Sequence, residues 1–288
     1  MGAGGRPWMI QIPREDFFVA QAVCNDIQIA FDDTDFGSTK TPIVFLHAHG
    51  LNRSMWDRQR QVLRASHRVI TFDLRGHGGS EKPATGYGRD EEIKDLESFL
   101  DVAKVPKAHL VGLSRGAGIA LGFAAAHPDK TASVIAMGAG FDLDRLLPEF
   151  AEQRLQTMAT LRGEGLRAAK EYWMSLPIFG PALEKEEVAS KIEQIMLTYT
   201  GTHWLDENPP RDSSLADVVL GITARTLIMV GERDLPGFLA CADELAEKIP
   251  GSRKEVVLDV GHLISLEAPE ETTAVIEAFI SDGAPAQA

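Results

Sequence analysis

The pattern in this sequence best suited to chemistry is a serine between two glycines, Gly112-Leu113-Ser114-Arg115-Gly116. The apolar run His109 to Leu113 leads into it, and a segment of helical period, Gly116 to Ala126, leads out. A serine on such a strand-to-helix turn projects its hydroxyl from a strand end, and small flanking residues keep the turn free of collisions. The helix that follows offers unpaired N–H groups and the positive end of its dipole to a developing oxyanion. The plainer reading is a glycine-bounded turn with an incidental serine. A neutral serine is a weak nucleophile, so the catalytic reading requires a base and an acid that orients the base. His262, beyond the run Lys254 to Leu258, supplies the base, and Asp234, beyond Thr226 to Val230, supplies the acid. Glu232 and Asp142 compete for the acid's role, Glu232 because it lies two residues away and Asp142 because it follows the run Ala132 to Met137. Asp259 reads as an exposed loop residue.

The elements that must position these residues follow from hydrophobic periodicity. Phe17 to Ala22 and Ile27 to Phe31 alternate around Cys24-Asn25-Asp26, which predicts an antiparallel hairpin. Short apolar runs then alternate with helix-period segments. Ile43 to Leu46 precedes a helix near Met55 to Leu63, and Val69 to Phe72 precedes Asp90 to Val102. The rhythm continues through the serine turn to Ala132 to Met137. It resumes with Thr226 to Val230, a helix near Phe238 to Ile249, Lys254 to Leu258 and a last helix from Ser265 to Ile280. Apolar strands separated by amphipathic helices imply a parallel sheet covered on both faces. Loops at the carboxyl ends of parallel strands open at one edge, so Ser114, Asp234 and His262 converge there. Between Asp142 and Asp217 the sequence predicts only helices, broken at Gly163, Gly165, Pro177, Gly180, Pro181, Pro209 and Pro210. Such an insert reads as a lid over the strand ends.

Strand, serine turn, helical insert, acid and histidine in this order resemble the α/β-hydrolase family. Leu46 to Trp56 and Asp73 to Ser80 also match segments typical of it, so the resemblance runs from Phe17 to Ile280. It implies a mostly parallel, eight-stranded α/β-hydrolase sheet with helices on both faces. The core domain would comprise residues 1–141 and 216–288, with a helical cap inserted at 142–215. Where the family has His-Gly this sequence has His47-Ala48, and alignment on that pair makes the His49 and Arg115 backbone N–H groups the oxyanion hole. The segment Asp73 to Ser80 reads as a packed turn beneath the site. The resemblance is to small-molecule esterases and enol-lactonases, implying a carboxylic ester hydrolase acting through an acyl-enzyme and needing no cofactor. A carbon–carbon bond hydrolase of ring-cleavage diketones and a non-catalytic ligand receptor are the alternatives on the same scaffold.

The insert gives the only hint about the substrate. Trp173, Tyr199 and Met196, with Phe150, Met158, Met174, Phe179 and Trp204, suit an apolar pocket, although helical spacing also suits them to packing. Arg154, Arg162, Arg167 and Lys170 read either as carboxylate ligands or as a solvated helix face. A metal pair at His47 and His49 lacks a third ligand nearby, so no metal is expected. The 288 residues carry a net charge of −13, which disfavours nucleic acid and anionic lipid partners and leaves a small molecule as the expected one. No apolar stretch approaches the roughly 20 residues that span a bilayer. Cys24 and Cys241 stand far apart without metal spacing, and with no signal peptide pattern at Met1 to Trp8 they point to a cytoplasmic protein. Oligomeric state is not encoded in any of these features.

Overall fold

The computed structural model describes residues 20–141, 143–206 and 214–282. The leader Met1 to Trp8, the hairpin residues before Ala20, Asp142, Pro209, Pro210 and the tail beyond Asp282 lie outside the described residues.

The chain enters the sheet through a hairpin of β1 (Ala20–Cys24) and β2 (Ile27–Asp33). Its turn is Asn25-Asp26 alone, with φ of 46° and 64°. A two-residue turn that matches strand twist needs both central residues at positive φ, and Asn and Asp accept that conformation. Cys24, expected in the turn, pairs with Ile27 and belongs to the strand. Six further strands follow: β3 (Ile43–Leu46), β4 (Val69–Phe72), β5 (Ala108–Leu113), β6 (Thr131–Met137), β7 (Arg225–Gly231) and β8 (Arg253–Val257). They form one eight-stranded sheet in the order β1-β2-β4-β3-β5-β6-β7-β8. Pairings β1–β2 and β2–β4 are antiparallel and the others parallel. Every residue of β3 and β4 is buried, as unbroken apolar strands require when both faces are covered.

From β3 the chain steps outward to β4 through α1 (Asp57–Leu63), preceded by a 3₁₀ turn at Arg53–Trp56. It then steps back past β3 to β5 through α2 (Arg89–Val102), and on to β6 through α3 (Arg115–Ala126). Right-handed crossovers in opposite directions place α1 on one face and α2 and α3 on the other. Between β6 and β7 the described residues contain helices and no strand. These are α4 (Leu143–Leu146), α5 (Pro148–Glu164), α6 (Leu166–Met174), α7 (Gly180–Leu183), α8 (Glu186–Thr198), α9 (Thr202–Leu205) and α10 (Leu215–Val218). Gly163, expected as a break, lies within α5, and the interruption falls at Gly165, whose φ is 90°. Next, α11 (Pro236–Lys248) joins β7 to β8. The expected last helix is two, α12 (Ile264–Glu267) and α13 (Pro269–Ser281), because Pro269 excludes Ala268 from helical geometry. Helix α13 packs against α1.

The segment after β4 holds these layers together. Asp73 is fully buried; it accepts the Arg53 N–H at 2.8 Å and the Gly79 N–H at 2.7 Å, and it pairs with the Arg53 guanidinium. Ser80 Oγ accepts from Ala30 N–H at 2.9 Å and donates to Asp73 O at 2.6 Å, tying the turn to β2. Asp73→Asn leaves that charge-assisted set short of an acceptor and is expected to cost about 1.5–3 kcal/mol. Chemical unfolding reads the loss as a lower denaturant midpoint.

Candidate active site

Ser114 sits between β5 and α3 at φ 54°, ψ −111°, a conformation that costs a non-glycine residue energy and persists only where packing enforces it. A Cβ at Gly112 would overlap the carbonyl oxygen of Gly116, and one at Gly116 would overlap that of Leu46. Both flanking glycines are therefore required by the close approach of α3 to β5 and β3. The turn is fixed from the neighbouring strand by Ser114 N–H, which donates to Met137 O at 2.8 Å.

His262 lies in the loop after β8, 3% exposed, and its Nδ1 is 2.8 Å from Asp234 Oδ2. With the carboxylate accepting, Nδ1 carries the proton and Nε2 presents its lone pair. Nε2 has no hydrogen-bond partner among the described residues. Asp234 is fixed in turn by the Leu235 N–H, which reaches Oδ1 at 2.7 Å. Glu232 is exposed and accepts from Asp259 N–H at 3.1 Å, and Asp259 is itself exposed, so neither reaches the imidazole. Close backbone packing explains the loop's position: a Cβ at Gly231 would overlap Gly261 O, and one at Gly138 would stand 2.9 Å from His262 Cε1. Sequence reasoning missed Glu267. Its carboxylate accepts Gly261 N–H at 2.7 Å and Leu263 N–H at 2.9 Å, clamping the backbone on both sides of His262. A buried carboxylate five residues after a histidine is a signal visible only once α12 folds back beneath the loop.

The loop after β3 is bracketed by two neutral imidazoles. His47 Nε2 accepts from Leu74 N–H at 2.9 Å and its Nδ1 faces Ala48 O at 2.8 Å. His77 does the same, with Nε2 accepting from Gly50 N–H at 3.2 Å and Nδ1 facing Arg75 O at 2.8 Å. Both ring nitrogens of His47 are thus engaged, which removes it from a metal pair with His49; among the described residues no group of three His, Cys, Asp or Glu could hold a metal ion. The His49 N–H donates to no acceptor among the described residues, and the Arg115 N–H, at the first position of α3, has none within its helix.

Ser114, His262, His49 and Arg115 all line one cavity of about 570 Å³. Phe150, Met158, Trp173, Phe179 and Trp204 of the inserted helices line it as well. Met196 and Tyr199, expected against substrate, do not. Helix α8 turns its apolar stripe inward, which puts Met196 Sδ beside Gly50, while the Tyr199 ring meets His49 edge-on with centroids 5.6 Å apart. The Arg115 side chain leaves the turn for Glu92 Oε1 at 2.8 Å and Tyr87 O at 2.6 Å. Burial raises the Glu92 carboxyl to about 7, against the lowering effect of Arg115.

Burial holds His47 down at about 4, against the raising effect of Asp73, and holds His49, His77 and His203 well below 6.5. Between these values and 6.5 the unfolded chain binds protons that the folded protein does not, so stability is full above about 6.5 and is lost as pH falls toward 4. Glu92, raised, works in the opposite sense between 4.5 and 7, as do the carboxyls of Glu267 and Asp95, also raised by burial, while His109, lowered to about 4 by burial, adds to the histidine effect. Urea unfolding at pH 7.5 and 5.5 is expected to give a lower midpoint at 5.5, with a smaller difference in His77→Gln; equal midpoints would contradict neutral burial of these rings.

Comparison with known proteins places this arrangement. The 3-oxoadipate enol-lactonase 2 of Acinetobacter baylyi is 25% identical over 261 residues, 88% of this chain and 93% of that protein. A thermophilic esterase from Thermogutta terrifontis superposes with a TM-score of 0.74 at 28% identity, covering 89% of this chain and 94% of that one. The 2-hydroxymuconate semialdehyde hydrolase of Pseudomonas sp. CF600 is 35% identical over 127 residues, 39% of this chain and 45% of its own length. A sequence profile described as the alpha/beta hydrolase fold matches residues 41–269, from the loop before β3 to the start of α13 and so across Ser114, Asp234 and His262. The chain belongs to the α/β-hydrolase fold family.

Proposed function

We propose that the chain is a serine hydrolase that cleaves a carboxylic ester or lactone of a small, largely apolar substrate. The observation that carries this reading is the His262 imidazole, held at Nδ1 by Asp234 and unpartnered at Nε2, on the wall of the cavity that Ser114 also lines. In the reaction Ser114 Oγ attacks the carbonyl carbon while His262 Nε2 takes its proton, and Asp234 stabilises the imidazolium. The His49 and Arg115 N–H groups receive the negative charge that forms on the carbonyl oxygen. Collapse breaks the ester C–O bond, the departing alkoxide takes the proton from His262, and an acyl-enzyme remains. Water repeats the sequence: His262 removes its proton, hydroxide adds to the acyl carbon, and Ser114 leaves reprotonated with the free acid as product.

The inserted helices act in this proposal as a cap, residues 142–215, on a core of 1–141 and 216–288. They supply the aromatic wall that excludes water and holds the acyl or alcohol group. No cofactor takes part, and the protein works in the cytoplasm on a small molecule. Among the described residues no helix is long and apolar enough to cross a membrane. A second reading, hydrolysis of a carbon–carbon bond in a ring-cleavage diketone, is favoured by the local similarity to the 2-hydroxymuconate semialdehyde hydrolase. The same triad serves both reactions, but the carbon–carbon route must first protonate a dienol at carbon. Ester cleavage needs only the triad, the oxyanion hole and the apolar cleft.

Ser114→Ala is expected to fold and to lose activity by about 10⁴ to 10⁶, and Asp234→Asn by about 10⁴. Glu232→Gln is expected to change little. A fluorophosphonate labels Ser114 in this reading, and wild-type turnover by Ser114→Ala would end it. On a panel of aryl esters, lactones and diketones, the best ester or lactone is expected to exceed every diketone in kcat/KM by at least about tenfold, or 1.4 kcal/mol. The reverse ranking would establish the carbon–carbon reading instead.

A further inference from the structure

Four cations on the inserted helices read equally well from sequence as carboxylate ligands or as solvated charge, and the structure separates them. Arg167 is 93% exposed, 3.9 Å from Glu171. Lys170 Nζ donates to Leu197 O at 3.2 Å, and Arg162 is engaged with a partner of its own. Arg154 alone lines the cavity. It sits on α5 four residues after Phe150 and four before Met158, and the three share one helix face and one cavity wall.

This guanidinium is half-buried and has no ion pair or hydrogen bond among the described residues. Removing a cation from water without a partner is costly, and folded proteins normally pair such groups. The other charges on the cavity wall have partners. Arg115 is paired with Glu92 at 2.8 Å, Arg89 lies 3.6 Å from Asp90, and Asp206 accepts from Tyr87 N–H at 3.4 Å. His49 and His203 are kept neutral by burial. Of the arginines on this wall, Arg154 is the one without a partner among the described residues. On the same wall His203 Nε2 and Trp173 Nε1 are buried and have no hydrogen-bond partner among the described residues.

We infer that Arg154 is the anchor of a carboxylate subsite, so that the substrate is an ester or lactone bearing a second, ionised carboxylate separated from the scissile carbonyl by an apolar segment. This rests on the hydrolase reading above and specifies its substrate class. A guanidinium fork matches a carboxylate through two parallel hydrogen bonds. A singly charged carboxylate neutralises Arg154, whereas a phosphate dianion would leave a negative charge in an apolar wall. The segment between the two substrate groups lies along Phe150, Trp173 and Trp204, whose rings are 5.9 and 5.6 Å apart in succession.

Two measurements test the subsite separately from the chemistry. In the first, mono-4-nitrophenyl glutarate is compared with its uncharged methyl ester twin. Wild type is expected to favour the anion at least tenfold in kcat/KM, chiefly through KM. Arg154→Gln is expected to reduce the preference to within threefold, and Arg154→Lys is expected to fall between. In the second, monomethyl glutarate is titrated into Ser114→Ala, with quenching of tryptophan fluorescence as the readout. The added Arg154→Gln change is expected to weaken binding at least tenfold at a thermal midpoint no lower than that of Ser114→Ala. Binding that depends on Arg154 without turnover of either ester would sink the hydrolase reading and keep the subsite. A wild type indifferent to the charge, or a preference that survives Arg154→Gln, would overturn the subsite and leave the hydrolase reading standing.

Discussion

Ser114 is kept at positive φ because no side chain fits on either side of it. The glycines at 112 and 116 let the first turn of α3 rest against the end of β5 and the carbonyl of Leu46. That contact fixes three things at once. It holds the serine in a conformation that a free chain would leave, aims the first N–H groups of α3 at the cavity, and sets the position of the loop that follows β3. A methyl group at either glycine would force these elements apart, so backbone closeness is the foundation on which the other residues are placed.

Around the serine, buried polar groups hold backbone. His47 and His77 accept from the N–H groups of Leu74 and Gly50, and Glu267 takes two N–H groups flanking His262. Asp73 does the same for Arg53 and Gly79. Each fixes a loop whose backbone would otherwise be free to move, which matters because displacement by about 1 Å at a reacting group can cost on the order of 100-fold in rate. Neutrality is part of this work. An imidazolium has no lone pair to offer Leu74 or Gly50, and burial is what keeps His47 and His77 unprotonated.

The strands and the residues at their carboxyl ends were legible because both obey local rules. Unbroken apolar runs such as Val69 to Phe72 carry strand identity in their own composition, and loops at the ends of parallel strands share an edge, so the order of Ser114, Asp234 and His262 already brought them to one place. What was illegible depended on contacts between distant elements. The turn at Asn25-Asp26 could be narrowed only by the pairing of Cys24 with Ile27. Gly163 and Gly165 are equivalent as composition, and only the backbone distinguishes a tolerated helix residue from an interruption. Tyr199 and Met196 are as apolar and as well spaced as Trp173, yet the inward stripe of α8 puts Met196 beside Gly50, and Tyr199, just past its end, meets His49 edge-on without lining the cavity. Glu267 lacked any pattern until α12 folded back on the His262 loop.

The two arginines near the serine illustrate how pairing divides structural from recognising charge. Arg115 is next to Ser114 in sequence, but its guanidinium is committed to Glu92 and Tyr87 O. Those contacts tie the start of α3 to α2 and the loop before it, so the charge serves the scaffold. Arg154 is 40 positions away and reaches the same cavity from the inserted helices with its fork unengaged. A paired charge gains little by exchanging its partner for a substrate, since it must break one ion pair to form another. An unpaired one gains the whole interaction and relieves its own desolvation. Selectivity for an anionic group is therefore expected from the distant arginine, while the adjacent one leaves its backbone N–H without a partner in its helix, as the proposed oxyanion hole requires.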